Sequence, residues 1–126
     1  MSERLTISSG YPFEDSYGYA RAVRVGDHVL VSGTTARGPD LSRDAYGQAC
    51  CAIDIIAEAL LQAGAGLHHV VRTIVYITDM ADIEAVARAH GEAFGAIRPA
   101  STLVRVAGLT PSTARVEIEA TAIVQG

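Results

Sequence analysis

Residues 98–124, RPASTLVRVAGLTPSTARVEIEATAIV, decide the fold. They read as two short strands joined by a turn. In the second strand Val116, Glu117, Ile118, Glu119 and Ala120 alternate apolar and acidic side chains. Period two places the apolar residues on one face and both glutamates on the other. A strand this near the C-terminus is expected inside a sheet, so its acidic face needs a reason. A small-molecule cleft supplies one.

Working outward, residues 70–78 (VVRTIVYIT) are β-branched and aromatic throughout, which predicts an internal strand. Residues 19–25 and 28–35 flank Gly26-Asp27 and predict a hairpin. In its second arm Val29 and Val31 share one face, while His28, Leu30 and Ser32 share the other. Gly33, directly after Ser32, marks a bulge or a close approach of backbone to another group. Between these strands the period changes to that of a helix. Ala49, Ala52, Ile53, Ile56, Leu60 and Ala63 form one stripe over residues 44–62, closed by Gly64. Asp54, Glu58 and Gln62 leave that helix one narrow wet edge. A second helix spans residues 81–94, capped by Asp79 or Asp82 and closed by Gly95. His90 falls on its packed stripe and reads as a hydrogen-bonded core residue. Residues 1–18 mix Gly, Pro, Ser and aromatics and read as an irregular arm with at most a short strand.

The expected order is β-β-α-β-α-β-β, an α+β arrangement in one domain over residues 1–126. Two helices cover one face of a mixed sheet of five or six strands. A second copy of the chain is the economical cover for the other, so a homo-oligomer is expected.

The bulk numbers narrow the function. Of 126 residues 49% are hydrophobic and 19% charged, a globular balance. Net charge is -4, with ten basic residues spread thinly, so neither nucleic acid nor an anionic membrane is an expected partner. Residues 1–10 carry no basic segment followed by an apolar core, and no apolar run nears the ~20 residues of a membrane span. A soluble, cytoplasmic protein is expected. Cys50 and Cys51 are adjacent, a poor geometry for a disulfide, and too few for a tetrahedral metal site. They read as small core residues. The sequence has no Gly-rich phosphate loop, metal-spaced cluster or nucleophile elbow, so no cofactor is expected.

Several pieces together carry a family likeness: Tyr19 with Val31-Ser32-Gly33, Gln48-Ala49 opening the long helix, Val71-Arg72-Thr73 through Asp79-Met80, Arg98-Pro99-Ala100-Ser101-Thr102, and Val116-Glu117-Ile118-Glu119-Ala120. In this order and spacing the chain resembles the Rid (YjgF/YER057c/UK114) superfamily of reactive-intermediate deaminases. The resemblance implies a chorismate-mutase-like fold and a homotrimer whose sheets line a central barrel. It also implies three clefts, each built from two chains.

In the deaminase branch of that superfamily the residue after Pro-Ala is an arginine that grips the substrate carboxylate. Here it is Ser101, and the frequent cysteine two residues later is Leu103. The family's asparagine falls at Ala87 or Arg88, according to how the second helix is registered. The resemblance matches Tyr19, Ser32 and Glu119. Arg105 shares a strand face with Ser101, but four residues at ~3.3 Å each separate their Cα atoms by about 13 Å, too far to serve the same pocket. Arg88 or Arg98 would have to swing in.

The expected function is hydrolysis of a small imine, enamine or related labile metabolite, with specificity altered by loss of that arginine. Glu119 is the expected general acid/base, its pKa raised by enclosure against a second subunit. A buried structural glutamate is the alternative, and Glu117 points the same way. Tyr19, Ser32, Ser101, Leu103 and Arg88 are the expected substrate-binding residues. For Tyr19 the alternative is interfacial packing, and for Ser32 a strand-end hydrogen bond. The competing function is a non-enzymatic trimer that binds small metabolites in the same clefts. RNA cleavage, a third family theme, fits an acidic chain poorly.

Overall fold

A computed structural model describes residues 3–125. Six strands form one mixed sheet: β1 (Arg4–Ile7), β2 (Ala22–Val25), β3 (His28–Thr34), β4 (Val70–Ile77), β5 (Ala100–Arg105) and β6 (Val116–Ile123), in the order β1-β2-β3-β6-β4-β5. Only β4 and β5 run parallel. The helices are α1 (Pro12–Tyr17), α2 (Ala45–Gln62) and α3 (Ile83–Phe94).

The two strands of the C-terminal stretch are not partners. β4 lies between them, paired parallel to β5 and antiparallel to β6. Helix α3 carries the chain from β4 back to β5, the crossover that a parallel pair requires. Adjacency in sequence therefore misleads here. β6 sits at the centre of the sheet between β3 and β4, as its alternation predicts. Val116, Ile118, Ala120 and Ala122 are buried on the helical side, whereas Glu117 and Glu119 face the other side half-buried.

Helix α2 starts at Asp44, whose carboxylate accepts from Gly47 N at 2.8 Å. That capping bond satisfies one of the orphan N–H groups of the first turn. Its stripe of Ala49, Ala52, Ile53, Ile56 and Leu60 packs on β3 and β6. Asp79 caps the single turn Met80–Asp82, and α3 follows from Ile83. Asp82 stands at the N-cap of α3 without a side-chain capping bond; its carboxylate pairs with the Arg115 guanidinium at 2.9 and 3.1 Å.

The N-terminal segment is more ordered than expected, and the observed order is β-α-β-β-α-β-α-β-β. Residues 1 and 2 of the expected arm lie outside the described residues. β1 adds an edge strand along β2, and α1 opens with Pro12, which needs no N–H partner in a first helical turn. Six residues form no stable helix alone. A tertiary pair holds this one, Glu14 on α1 meeting Arg21 at 3.3 Å with both side chains nearly fully buried. Cys50 and Cys51 are free thiols, half-buried on α2. No helix among the described residues is long and apolar enough to cross a membrane.

The helices leave one sheet face open. Val25, Leu30 and Val104 stand exposed there, in register with the rows that hold Ile123, Thr121 and Tyr76.

Candidate functional site

The bulge expected at Gly33 is present: β3 and β6 slip register between Val31 and Thr34. Its consequence is a close approach. A Cβ on Gly33 would stand 2.9 Å from Glu117 Cδ, so only glycine lets the Glu117 carboxylate lie over the bulge. Around that carboxylate opens a cleft of about 340 Å³, lined by Tyr11, Phe13, Tyr17, Tyr19, Arg21, Ser32, Gly33, Thr35, Arg37, Thr110 and Glu117.

The cleft has an aromatic wall and a cationic floor. Phe13 and Tyr17 are stacked at 5.5 Å, and Tyr19 stands edge-on to them at 6.2 and 5.8 Å. Arg21 is 1% exposed. It donates to Glu14 Oε2 (3.3 Å), Gly33 O (2.7 Å), Thr34 Oγ1 (3.0 Å) and Tyr19 Oη (2.9 Å). It thus fixes the bulge and the tyrosine together. Arg37, on the loop after β3, lies 4.4 Å over the Tyr11 ring and donates to Ser9 Oγ at 2.8 Å.

The two glutamates of β6 have different surroundings. Glu119 accepts from Tyr76 Oη at 2.6 Å, a bond that pushes the Tyr76 pKa up to about 12. Glu117 lies in the cleft. Burial raises its pKa above the ordinary carboxylate value; Arg21 opposes that rise and the Glu119 charge adds to it. The sequence reading placed the reacting carboxylate at Glu119. Within one chain Glu117 is the glutamate that lines the cleft with Tyr19 and Ser32, while Tyr76 on the neighbouring strand reaches diagonally to Glu119.

Ser32 shows the strand-end bond foreseen for it, Oγ donating to Ala20 O at 2.7 Å. Ser101 and Leu103 lie on the helical side of the sheet instead. They share a recess of about 250 Å³ with Val75, Val86, Ala87, His90 and Gly91. There Thr73 Oγ1 stands 2.8 Å from His90 Nε2 and donates to Ser101 Oγ at 2.7 Å. Burial lowers the His90 pKa and favours the neutral ring. His90 is thus the hydrogen-bonded residue that its packed position predicts. Ala87, not Arg88, faces this recess; Arg88 is stacked over Tyr46 at 3.9 Å on the seam between α2 and α3. Arg105 donates to Thr78 O at 3.3 Å.

One chain therefore holds the expected residues in separate places: Tyr19 and Ser32 in the aromatic cleft, Ser101 and Leu103 beneath α3. Arg21, Arg37, Tyr11, Phe13 and Tyr17 were missing from the expected site. One signal was available for the aromatics: four of the chain's seven Tyr and Phe residues fall within positions 11–19. A still larger recess, about 490 Å³ between α2, residues 7–9 and residues 37–43, is also lined by Arg21 and Arg37 and holds none of the expected residues. Among the described residues no group of three or more His, Cys, Asp or Glu side chains is placed to hold a metal ion.

Comparison with known proteins agrees with the fold. Residues 13–124 match the sequence profile of the family described as Endoribonuclease L-PSP. An uncharacterized protein of Streptomyces coelicolor is 41% identical over 116 residues, which is 90% of this chain and 87% of that one. The 2-iminobutanoate/2-iminopropanoate deaminase of Mus musculus is 33% identical over 109 residues, 83% of this chain and 80% of that one. The crystal structure of a YjgF/YER057c/UK114 family member from Mycobacterium tuberculosis superposes with a TM-score of 0.91 at 46% identity, covering 97% of this chain and 100% of that one. The chain belongs to the Endoribonuclease L-PSP family, also known as YjgF/YER057c/UK114.

Proposed function

We propose that this protein hydrolyses a small reactive imine or enamine in the Tyr19–Glu117 cleft, water being the nucleophile and Glu117 the general acid/base. The observation that carries the reading is a half-buried carboxylate of raised pKa lying over a glycine bulge, beside a phenol and a buried guanidinium. Desolvation brings a carboxylate's pKa towards the range where it both takes and returns a proton. Attack of water on a C=N carbon needs that cycle: a proton leaves the water as the C–O bond forms, and a proton reaches nitrogen before the C–N bond breaks. The chain contains no lysine, so a side-chain Schiff base has no amine to form on. The deaminase activity named for the mouse relative, at 33% identity, supports the same chemistry.

A homotrimer would complete the site. Ser101, Leu103 and Ala87 sit beneath α3 on the helical side of the sheet, away from Tyr19 and Glu117, whereas a second copy docked on the open sheet face would enclose Glu117. The RNA cleavage implied by the family's description finds little support in a chain of net charge -4 whose Arg21, Arg105 and Arg115 bond within the fold.

The test compares Glu117→Gln with Glu119→Gln on an imine generated in situ, following ammonia release. Removal of a general acid/base costs about 10²–10⁴ in rate. Glu117→Gln is expected to lose that much and Glu119→Gln far less. An undiminished rate in Glu117→Gln sinks the reading. A second reading, metabolite binding without turnover, is favoured by the Tyr19 and Ser32 hydroxyls being engaged with Arg21 and Ala20. It predicts ligand affinity with no ammonia release.

A further inference from the structure

We propose that Arg37 is the carboxylate-binding residue of this cleft, and that the ligand is a small carboxylate with a flat aromatic or unsaturated body. The inference rests on the same cleft as the hydrolase reading and deepens it by naming the substrate class.

Two guanidiniums line the cleft, and they differ in what they have left to give. Arg21 uses four of its five N–H donors on protein acceptors and is 1% exposed. It is committed to holding the bulge. Arg37 makes one hydrogen bond among the described residues, to Ser9 Oγ, and its side chain is 22% exposed. Its nearest carboxylate, Glu14, is 3.9 Å away and already accepts from Ser8 Oγ, Ser9 Oγ, Ser9 N and Arg21 Nε. Arg37 is therefore a cation at the cleft wall whose charge is only loosely compensated and whose donors are mostly unused. Stacking over Tyr11 at 4.4 Å fixes the plane of the guanidinium. A fixed fork of N–H groups is what a carboxylate binds in bidentate fashion.

The body of the ligand follows from the wall. Tyr11, Phe13, Tyr17 and Tyr19 present ring faces and edges rather than a narrow aliphatic slot. Such surfaces select flat, unsaturated groups. The volume of about 340 Å³ suits a small ligand, near the lower end of the ~300–1,000 Å³ range of ligand pockets. Neither Arg88, stacked on Tyr46, nor Arg105, bonded to Thr78 O, lines the cleft.

The experiment measures binding of benzoate, benzamide and acetate by calorimetry, to the native protein and to Arg37→Met and Arg37→Lys. A charge-assisted bidentate contact predicts benzoate binding about tenfold or more tighter than benzamide. Acetate, lacking the flat body, is expected to bind weakest. Arg37→Met should erase the preference for benzoate while leaving benzamide unchanged, and Arg37→Lys should keep part of it. Benzamide equalling benzoate in the native protein overturns the proposal without recourse to any variant. So do acetate equalling benzoate, no measurable binding of benzoate, or undiminished benzoate affinity in Arg37→Met. The two readings fail separately: Arg37-dependent binding without imine turnover removes the hydrolase and keeps the anion site, whereas turnover with a KM indifferent to Arg37→Met does the reverse.

Discussion

Glu117 is one residue through which pH acts on this molecule. Burial holds its pKa above the ordinary value of 4.5, with Glu119 adding to the rise and Arg21 opposing it. An acid whose pKa is raised on folding binds its proton more tightly in the native state. Its contribution to stability is therefore full below the unfolded pKa and is lost as pH rises through the folded one. Glutamine at 117 has nearly the same shape and does not titrate. Urea midpoints of native protein and Glu117→Gln are expected to lie close together at about pH 4 and to separate by about pH 8, with the variant the more stable. A gap that stays constant, or that favours the native protein at the higher pH, contradicts the raised pKa. Glu14 has the opposite sign. Burial would raise its pKa, but bonds from the Ser9 side chain and backbone, from Ser8 and from Arg21 outweigh it and lower it. Both proteins carry Glu14, so its loss of stability in acid cancels in the comparison.

At the scale of elements, one buried amide fastens two loops to α2. Gln48 is 1% exposed; its Nε2 lies within reach of Leu41 O, Arg43 O and Thr113 O, and its Oε1 accepts from Arg115 N at 2.8 Å. Gln48→Leu keeps the bulk and strands these groups, so it should cost about 2–3 kcal/mol in denaturant unfolding. A loss below about 0.5 kcal/mol would show the loops held by other means. The long helix that carries Gln48 was legible in the sequence because its signals are local: a stripe at helical spacing and a terminal glycine. β4 and β6 were legible for the same reason. Helix α1 was not, because it depends on Glu14 finding Arg21 across the fold. The separation of β5 from β6 was not, because a parallel partner is chosen by α3 packing and not by the residues of β5. The site divides likewise. Tyr19, Ser32 and Gly33 announce themselves, whereas Arg21 and Arg37 become site residues only when α1 and the loop after β3 close around them.

The whole molecule presents a sheet with helices on one side and apolar side chains on the other. Leu30 is 52% exposed, Val25 44% and Val104 41%, apolar side chains that docking on the open face would take out of water. Both edge strands, β1 and β5, also have unpaired sides. The first cost falls if copies of the chain dock on this face, and because Glu117 stands on it docking has a functional consequence. We propose a ring of three copies, closed by a heterologous contact. The native protein is therefore expected to sediment at three times its 13.2 kDa chain mass. Leu30→Arg places a charge in the docked face without touching the Tyr19–Glu117 cleft. It should shift the protein towards monomer, leave the helical content of the chain in place, and lower imine turnover in step with the loss of trimer. Equilibrium sedimentation across a concentration series reads the first effect and ammonia release the last. A native monomer at micromolar concentration, or full turnover by monomeric Leu30→Arg, would show that one chain carries the complete site.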